Sequence, residues 1–238
     1  MDNAIFLFSF FSRTAQLAHS AVYGMFMIWV CISSDSALAV PQNNGMIQVS
    51  YRGKQYVGQP LARYGSEIAL LRRDGRYNWF PADPKKSYPF VSDAYEPYSI
   101  VELRGKLQQE FGSDYRVSVT NNFVVVHPHG SAANWAQPFE KLYWRFRIYF
   151  KSLGVTLKKP QGPMIAVILN TEREYQRMVS AKKGSGLKNT LGYYNSRSNR
   201  IITYAQGKGA NAWVRTHETI VHEAAHQTAY NVGIHNRY

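Results

Sequence analysis

Met164-Ile-Ala-Val-Ile-Leu169, followed by Asn170-Thr171-Glu172-Arg173-Glu174, is the stretch that decides the fold. Six apolar residues in a row read as a buried strand. Thr171 then caps a helix to about Lys183, and Glu174, three residues on, completes a capping box. A buried strand that passes into a capped helix belongs to a sheet with helices packed on it.

The segments on either side extend the pattern. Tyr115–Val119 and Phe123–Val126 flank Asn121-Asn122 and read as a hairpin. Ser99 caps a helix to Phe111, with Glu102 as its capping-box partner and Gly112 as its stop. Between about Ala133 and Leu153, Trp135, Phe139, Leu142, Tyr143, Phe146, Tyr149, Phe150 and Leu153 recur at helical spacing and predict a core-packing helix. Gly192–Tyr194, the turn Asn195–Asn199 and Arg200–Tyr204 read as strand, turn and strand, and Lys208–Asn211 leads into a last helix. Nearer the N-terminus, Met46–Tyr51 and Lys54–Val57 flank Arg52-Gly53, and Glu67–Leu71 and Arg76–Phe80 flank Asp74-Gly75, which makes two hairpins. Prolines 81, 84, 89 and 97 mark a linker. The expected class is α+β: a small β-rich unit over 40–80, a Pro-rich linker over 81–98, and a main domain over 99–238 in which packed helices cover a mixed β-sheet.

Residues 1–39 read as a leader instead of fold. The apolar run Ala21–Ile32 is followed by Ser33-Ser34-Asp35-Ser36-Ala37-Leu38-Ala39, a small-x-small cleavage site, so a signal peptide cut after Ala39 is expected. The alternative, a membrane anchor, needs a longer run and stop-transfer charges. The one cysteine, Cys31, lies in that leader. A processed chain would have no disulfide, cysteine ligand or thiol nucleophile, and no transmembrane span. Removing Arg13, Asp2 and Asp35 with the leader raises the net charge from +13 to +14. Such a balance favours anionic partners, among them wall polymers, lipid head groups of a cell envelope, nucleic acid or acidic substrates, and a plain solvated basic surface is the competing and simpler reading. The basic residues come in scattered pairs with no nucleic-acid motif, so no specific nucleic-acid partner is expected.

The last helix carries His222-Glu223-Ala224-Ala225-His226. Residues four apart lie on one helical face, so His222 and His226 present two imidazoles to one point. Neutral imidazole is a good Zn2+ ligand. Zinc acidifies a coordinated water to a pKa of roughly 7. Glu223, next to the first ligand, can take that water's proton and pass it to a leaving amine. Ile220, Val221, Ala224, Ala225 and Ala229 make the helix small and apolar, and Gly233 is a plausible stop. The competing reading is a helix with two satisfied histidines and a surface glutamate. A third ligand is harder to find. Ala229 and Val232 stand where the metzincin pattern needs Gly and His, which excludes that class. No acid follows Glu223. His235 lies past the helix end, Glu218 shares the face of His222, His217 points elsewhere, and His127 and His129 form a separate pair around Pro128.

Several stretches resemble a family of exported bacterial proteins, a domain of unknown function in the gluzincin (peptidase MA-like) clan of zinc metallopeptidases. They are Val221–Gln227 with Asn231 and Gly233, the aromatic run Phe139–Tyr143, Ala166–Leu169, Leu191–Asn195 and Asn199–Ile201. The resemblance runs from about Phe123 to the end, and the motif is its specific part. It implies a zincin-like active-site helix, His222 and His226 as metal ligands, Glu223 as base, Zn2+ as cofactor and a peptide or protein as substrate. In that family a Trp-x-x-Glu-Gly segment after the motif supplies the third ligand. The sequence stops at Tyr238 before any such segment, so the chain reads as C-terminally truncated. The expectation is an exported zinc-dependent metallopeptidase, secreted or held in the periplasm or cell envelope and inactive if the third ligand is missing. The alternative is a non-catalytic basic envelope-binding protein with a relic zinc motif.

Overall fold

A computed structural model describes residues 45–81, 88–130, 134–180, 190–206 and 210–234. The expected leader (1–39), the Lys85-Lys86 pair, the tail of the 171–183 helix, the Gly184–Gly186 break and His235 lie outside the described residues.

The fold is α+β. The first sheet contains β1 (Met46–Tyr51), β2 (Lys54–Tyr64), β3 (Glu67–Arg72), β4 (Tyr77–Pro81) and β5 (Phe90–Ser92), in the order β4-β3-β2-β1-β5. All its pairings are antiparallel. Arg52 and Gly53, both at positive φ, make the first hairpin turn, and Asp74-Gly75 makes the turn between β3 and β4. The segment expected as a linker is therefore partly sheet. Phe90–Ser92 pairs with β1, and Pro89 O accepts the N–H of Gln48, a backbone partner that Pro can still provide.

The second sheet holds the main core. Its strands are β6 (Tyr115–Val119), β7 (Phe123–Pro128), β8 (Met164–Leu169), β9 (Gly192–Asn195) and β10 (Arg200–Tyr204), in the order β6-β7-β8-β10-β9. The three central strands are parallel and each edge strand is antiparallel to its neighbour. β8 is buried at every position because helices cover both faces. On one face Phe123, Val125, Ala166, Ile168 and Ile201 meet Phe139 and Tyr143 of α2 (Gln137–Ser152), Ile220 and Ala224 of α4 (Ala210–Asn231), and Val232 just past the end of α4. On the other, Val124, Val126, Val167 and Ile202 meet Leu103 and Leu107 of α1 (Ile100–Phe111) and Tyr175 and Val179 of α3 (Glu172–Ser180). Successive strand residues point to opposite faces, which sorts the two cores.

The helix starts test the capping arguments. Ser99 and Glu102 form the expected reciprocal box. At Thr171 only half of it forms. Thr171 Oγ1 accepts from Glu174 N, but the Glu174 carboxylate takes the N–H of Asn170 and the hydroxyl of Tyr115 instead. The aromatic helix begins at Gln137, later than the spacing predicts, because Pro138 fits only a first turn. Its buried stripe is narrower than expected: Tyr149 lies about 100° round from Phe150, Leu153 follows the last helical residue, and the two are 41% and 58% exposed.

The β3–β4 turn meets the second sheet directly. Tyr77 N donates to Arg197 O, and Glu110 accepts from both Arg76 and Arg200. Arg200 holds both Glu110 oxygens, at 2.8 and 3.0 Å.

Candidate metal centre

α4 buries one stripe and exposes another. Ile220, Ala224, Gln227, Thr228 and Ala229 are buried, as is Val232 just past the helix end, while His222 and His226 are exposed. The helix ends as the glycine predicts. Gly233 has φ +86, and Ile234 N donates to Ala229 O, the six-residue bond of a Schellman stop.

The two imidazoles converge. Their Nε2 atoms stand 3.2 Å apart, with ring centroids 4.8 Å apart and planes at 75°. Two nitrogens bound to one tetrahedral zinc at about 2.0–2.1 Å lie about 3.3–3.4 Å from each other. The pair therefore has the spacing a single metal ion requires, and both donors face outward.

Glu223 lies one residue round the helix, toward the sheet edge. It is half-buried, and its Oε2 accepts the N–H of Tyr194 in β9 at 2.6 Å. The contact is close because β9 begins with Gly192. A Cβ there would lie 2.7 Å from Thr219 Cγ2 of α4 and 3.0 Å from Thr203 Cβ.

A polar latch sets the height of the helix over the sheet. Gln227, fully buried, donates through Nε2 to Asn199 O at 2.7 Å and to Ile165 O at 3.1 Å. Asn199, at φ +50, and Asn231 exchange amide hydrogen bonds at 2.8 and 2.9 Å. The Tyr194 hydroxyl also donates to Asn199 Oδ1, and the Tyr194 ring packs on Tyr230. Sequence spacing places Asn199 only in a turn and gives Gln227 and Asn231 no partner. The available signal was two amides four apart on the apolar stripe of α4, where unpaired polar groups are costly.

The other ligand-type residues lie apart. His127 is buried in β7, with Nε2 2.8 Å from Ser118 Oγ and Nδ1 3.1 Å from Pro128 O. Burial pushes its pKa below the usual imidazole value. His129 is exposed beyond the strand, so the two do not form a metal-binding pair. His217 and Glu218 are exposed on α4. Among the described residues no group of three His, Cys, Asp or Glu side chains could hold a metal ion. No protein-family model, curated protein or solved structure matches the chain.

Proposed function

We propose that the chain is an exported protein of the zinc metallopeptidase type, acting on peptide bonds. The observation that carries this reading is the 3.2 Å separation of the His222 and His226 Nε2 atoms on the exposed face of α4. The resemblance of Val221–Gln227, Asn231 and Gly233 to the gluzincin motif supports it.

In this reading His222 and His226 hold Zn2+ through Nε2. The ion, when bound, supplies a Lewis acid and lowers the pKa of water. Glu223 does the proton work. The Tyr194 N–H fixes its Oε2, and Oε1 takes the proton and returns it to a leaving amine. β9 is an edge strand of the second sheet, next to Glu223, so an extended peptide can align along it by strand pairing. Catalytic zinc sites use three protein ligands, so the third comes from outside the described residues.

The test is zinc content and affinity of the purified chain beside the double variant His222→Ala/His226→Ala. Stoichiometric zinc that disappears in the variant supports the site, and loss of hydrolysis in Glu223→Gln with zinc retained supports the base. Zinc no higher than in the variant overturns the reading. A second reading, a basic envelope-binding protein with a relic motif, is favoured by the charge of residues 141–171, which hold six Lys or Arg and no acid.

A further inference from the structure

α2 has two working faces. The inner one packs Phe139 and Tyr143 into the core, with Phe146 and Phe150 against it. The outer one is unusual for a helix on a protein surface. Trp144 is 49% exposed and Ile148 65%, and at 100° per residue they lie within about 40° of each other. Lys151, Lys141 and Arg145 flank them, all exposed. Tyr149 on the flank of the helix and Leu153 and Val155 past its end are exposed as well, and Lys158 and Lys159 follow.

Charge completes the pattern. The one acid in α2, Glu140, is buried, and its carboxylate accepts from Asn122 N, Asn122 Nδ2 and Trp144 Nε1. The next acid in the chain is Glu172. An exposed Trp144 and Ile148 flanked by Lys141, Arg145 and Lys151, in a segment (141–171) that holds no acid, fit an anionic lipid bilayer. The Trp144 ring and Ile148 enter the headgroup boundary while Lys and Arg reach the phosphates. A soluble polyanion would satisfy the cations but leave the exposed Trp144 and Ile148 unrewarded.

We propose that the outer face of α2, centred on Trp144 and Ile148, docks the protein on anionic membranes. The inference stands apart from the metal site and needs neither zinc nor activity.

The full chain can be tested with Ser152→Cys in a Cys31→Ser background, carrying an environment-sensitive dye. Ser152 is exposed on the same face, so the dye reports the helix surface itself, whatever else in the chain meets lipid. Vesicles of phosphatidylglycerol and phosphatidylcholine should shift the emission to the blue, and phosphatidylcholine alone should not. Lys141→Glu/Arg145→Glu/Lys151→Glu should raise the lipid concentration needed by about a hundredfold or more, from the usual contribution of each cation near an anionic surface. Trp144→Ser/Ile148→Ser should raise it by about tenfold or more. Circular dichroism confirms that each variant is folded. The proposal is overturned by no shift with anionic vesicles, by an equal shift with neutral ones, or by a shift that charge reversal leaves intact. An equal shift on inorganic polyphosphate would overturn it in favour of polyanion binding.

Discussion

Replacing Gln227 by Met tests whether the polar latch holds α4 on the sheet. Met keeps the length and volume of the side chain but removes both donors, so the carbonyls of Ile165 and Asn199 lose hydrogen bonds of 3.1 and 2.7 Å at a fully buried site. Each loss costs about 1–2 kcal/mol, since buried acceptors left without donors cost more than an average bond contributes. The Gln227 Oε1 atom is itself buried without a partner, and its removal returns about 1 kcal/mol. The net expectation is a destabilisation of about 2 kcal/mol. For a domain of this size that lowers the melting temperature by about 4–8 °C. Urea unfolding followed by far-ultraviolet circular dichroism measures it directly. Zinc affinity of the folded variant should not change, because both histidines lie on one turn of the same helix. A loss below about 0.5 kcal/mol, the range of ordinary surface changes, would show that apolar packing alone docks α4 and would refute the latch.

Three further predictions follow from other contacts. Gly192→Ala should cost about 1–3 kcal/mol by overpacking. Thr219→Ser removes the Cγ2 atom that the new Cβ would meet at 2.7 Å, so adding it should restore part of the thermal stability. Glu140→Ala should cost about 2–4 kcal/mol in urea, mainly by stripping the Asn122 amide and side chain of a charged acceptor at 3.1 and 2.6 Å, with the half-exposed Trp144 bond adding little. Acid should weaken the fold in two steps. His127 is held below its ordinary value by burial, so at pH below about 6.5 the unfolded chain binds a proton that the folded chain refuses, and stability falls. For Glu110, burial acts upward but the Arg200 and Arg76 guanidinium groups outweigh it and hold the carboxyl below its ordinary range. Its contribution is full above the ordinary carboxylate value of about 4.3 and is lost as pH falls below it. Urea midpoints against pH should show the upper step vanish in His127→Gln and the lower step shrink in Glu110→Gln.

The elements legible in the chain are those with local causes. Ser99 and Glu102 bond each other within one turn, Gly233 stops α4 through its own φ, and β8 reads as a buried strand because all six of its side chains are apolar. The candidate site is half of this kind. The 3.2 Å imidazole pair follows from helical pitch once His222 and His226 stand four apart, so the spacing in the sequence was enough to expect it. Long-range partners left no such trace. Glu174 deserts its capping box for Tyr115, which is remote in sequence, and Phe90–Ser92 becomes a strand because β1 offers it an edge. Glu223 meets the N–H of Tyr194 only after β10 pairs with β8 and carries β9 to the rim of the sheet under α4. The sequence by itself determined the residue types, the helical phase and the charge of the chain, because these depend on neighbours a few positions apart. Tertiary structure alone decided which polar groups pair, because a buried amide or carboxylate takes whichever donor or acceptor the packed layers bring within reach.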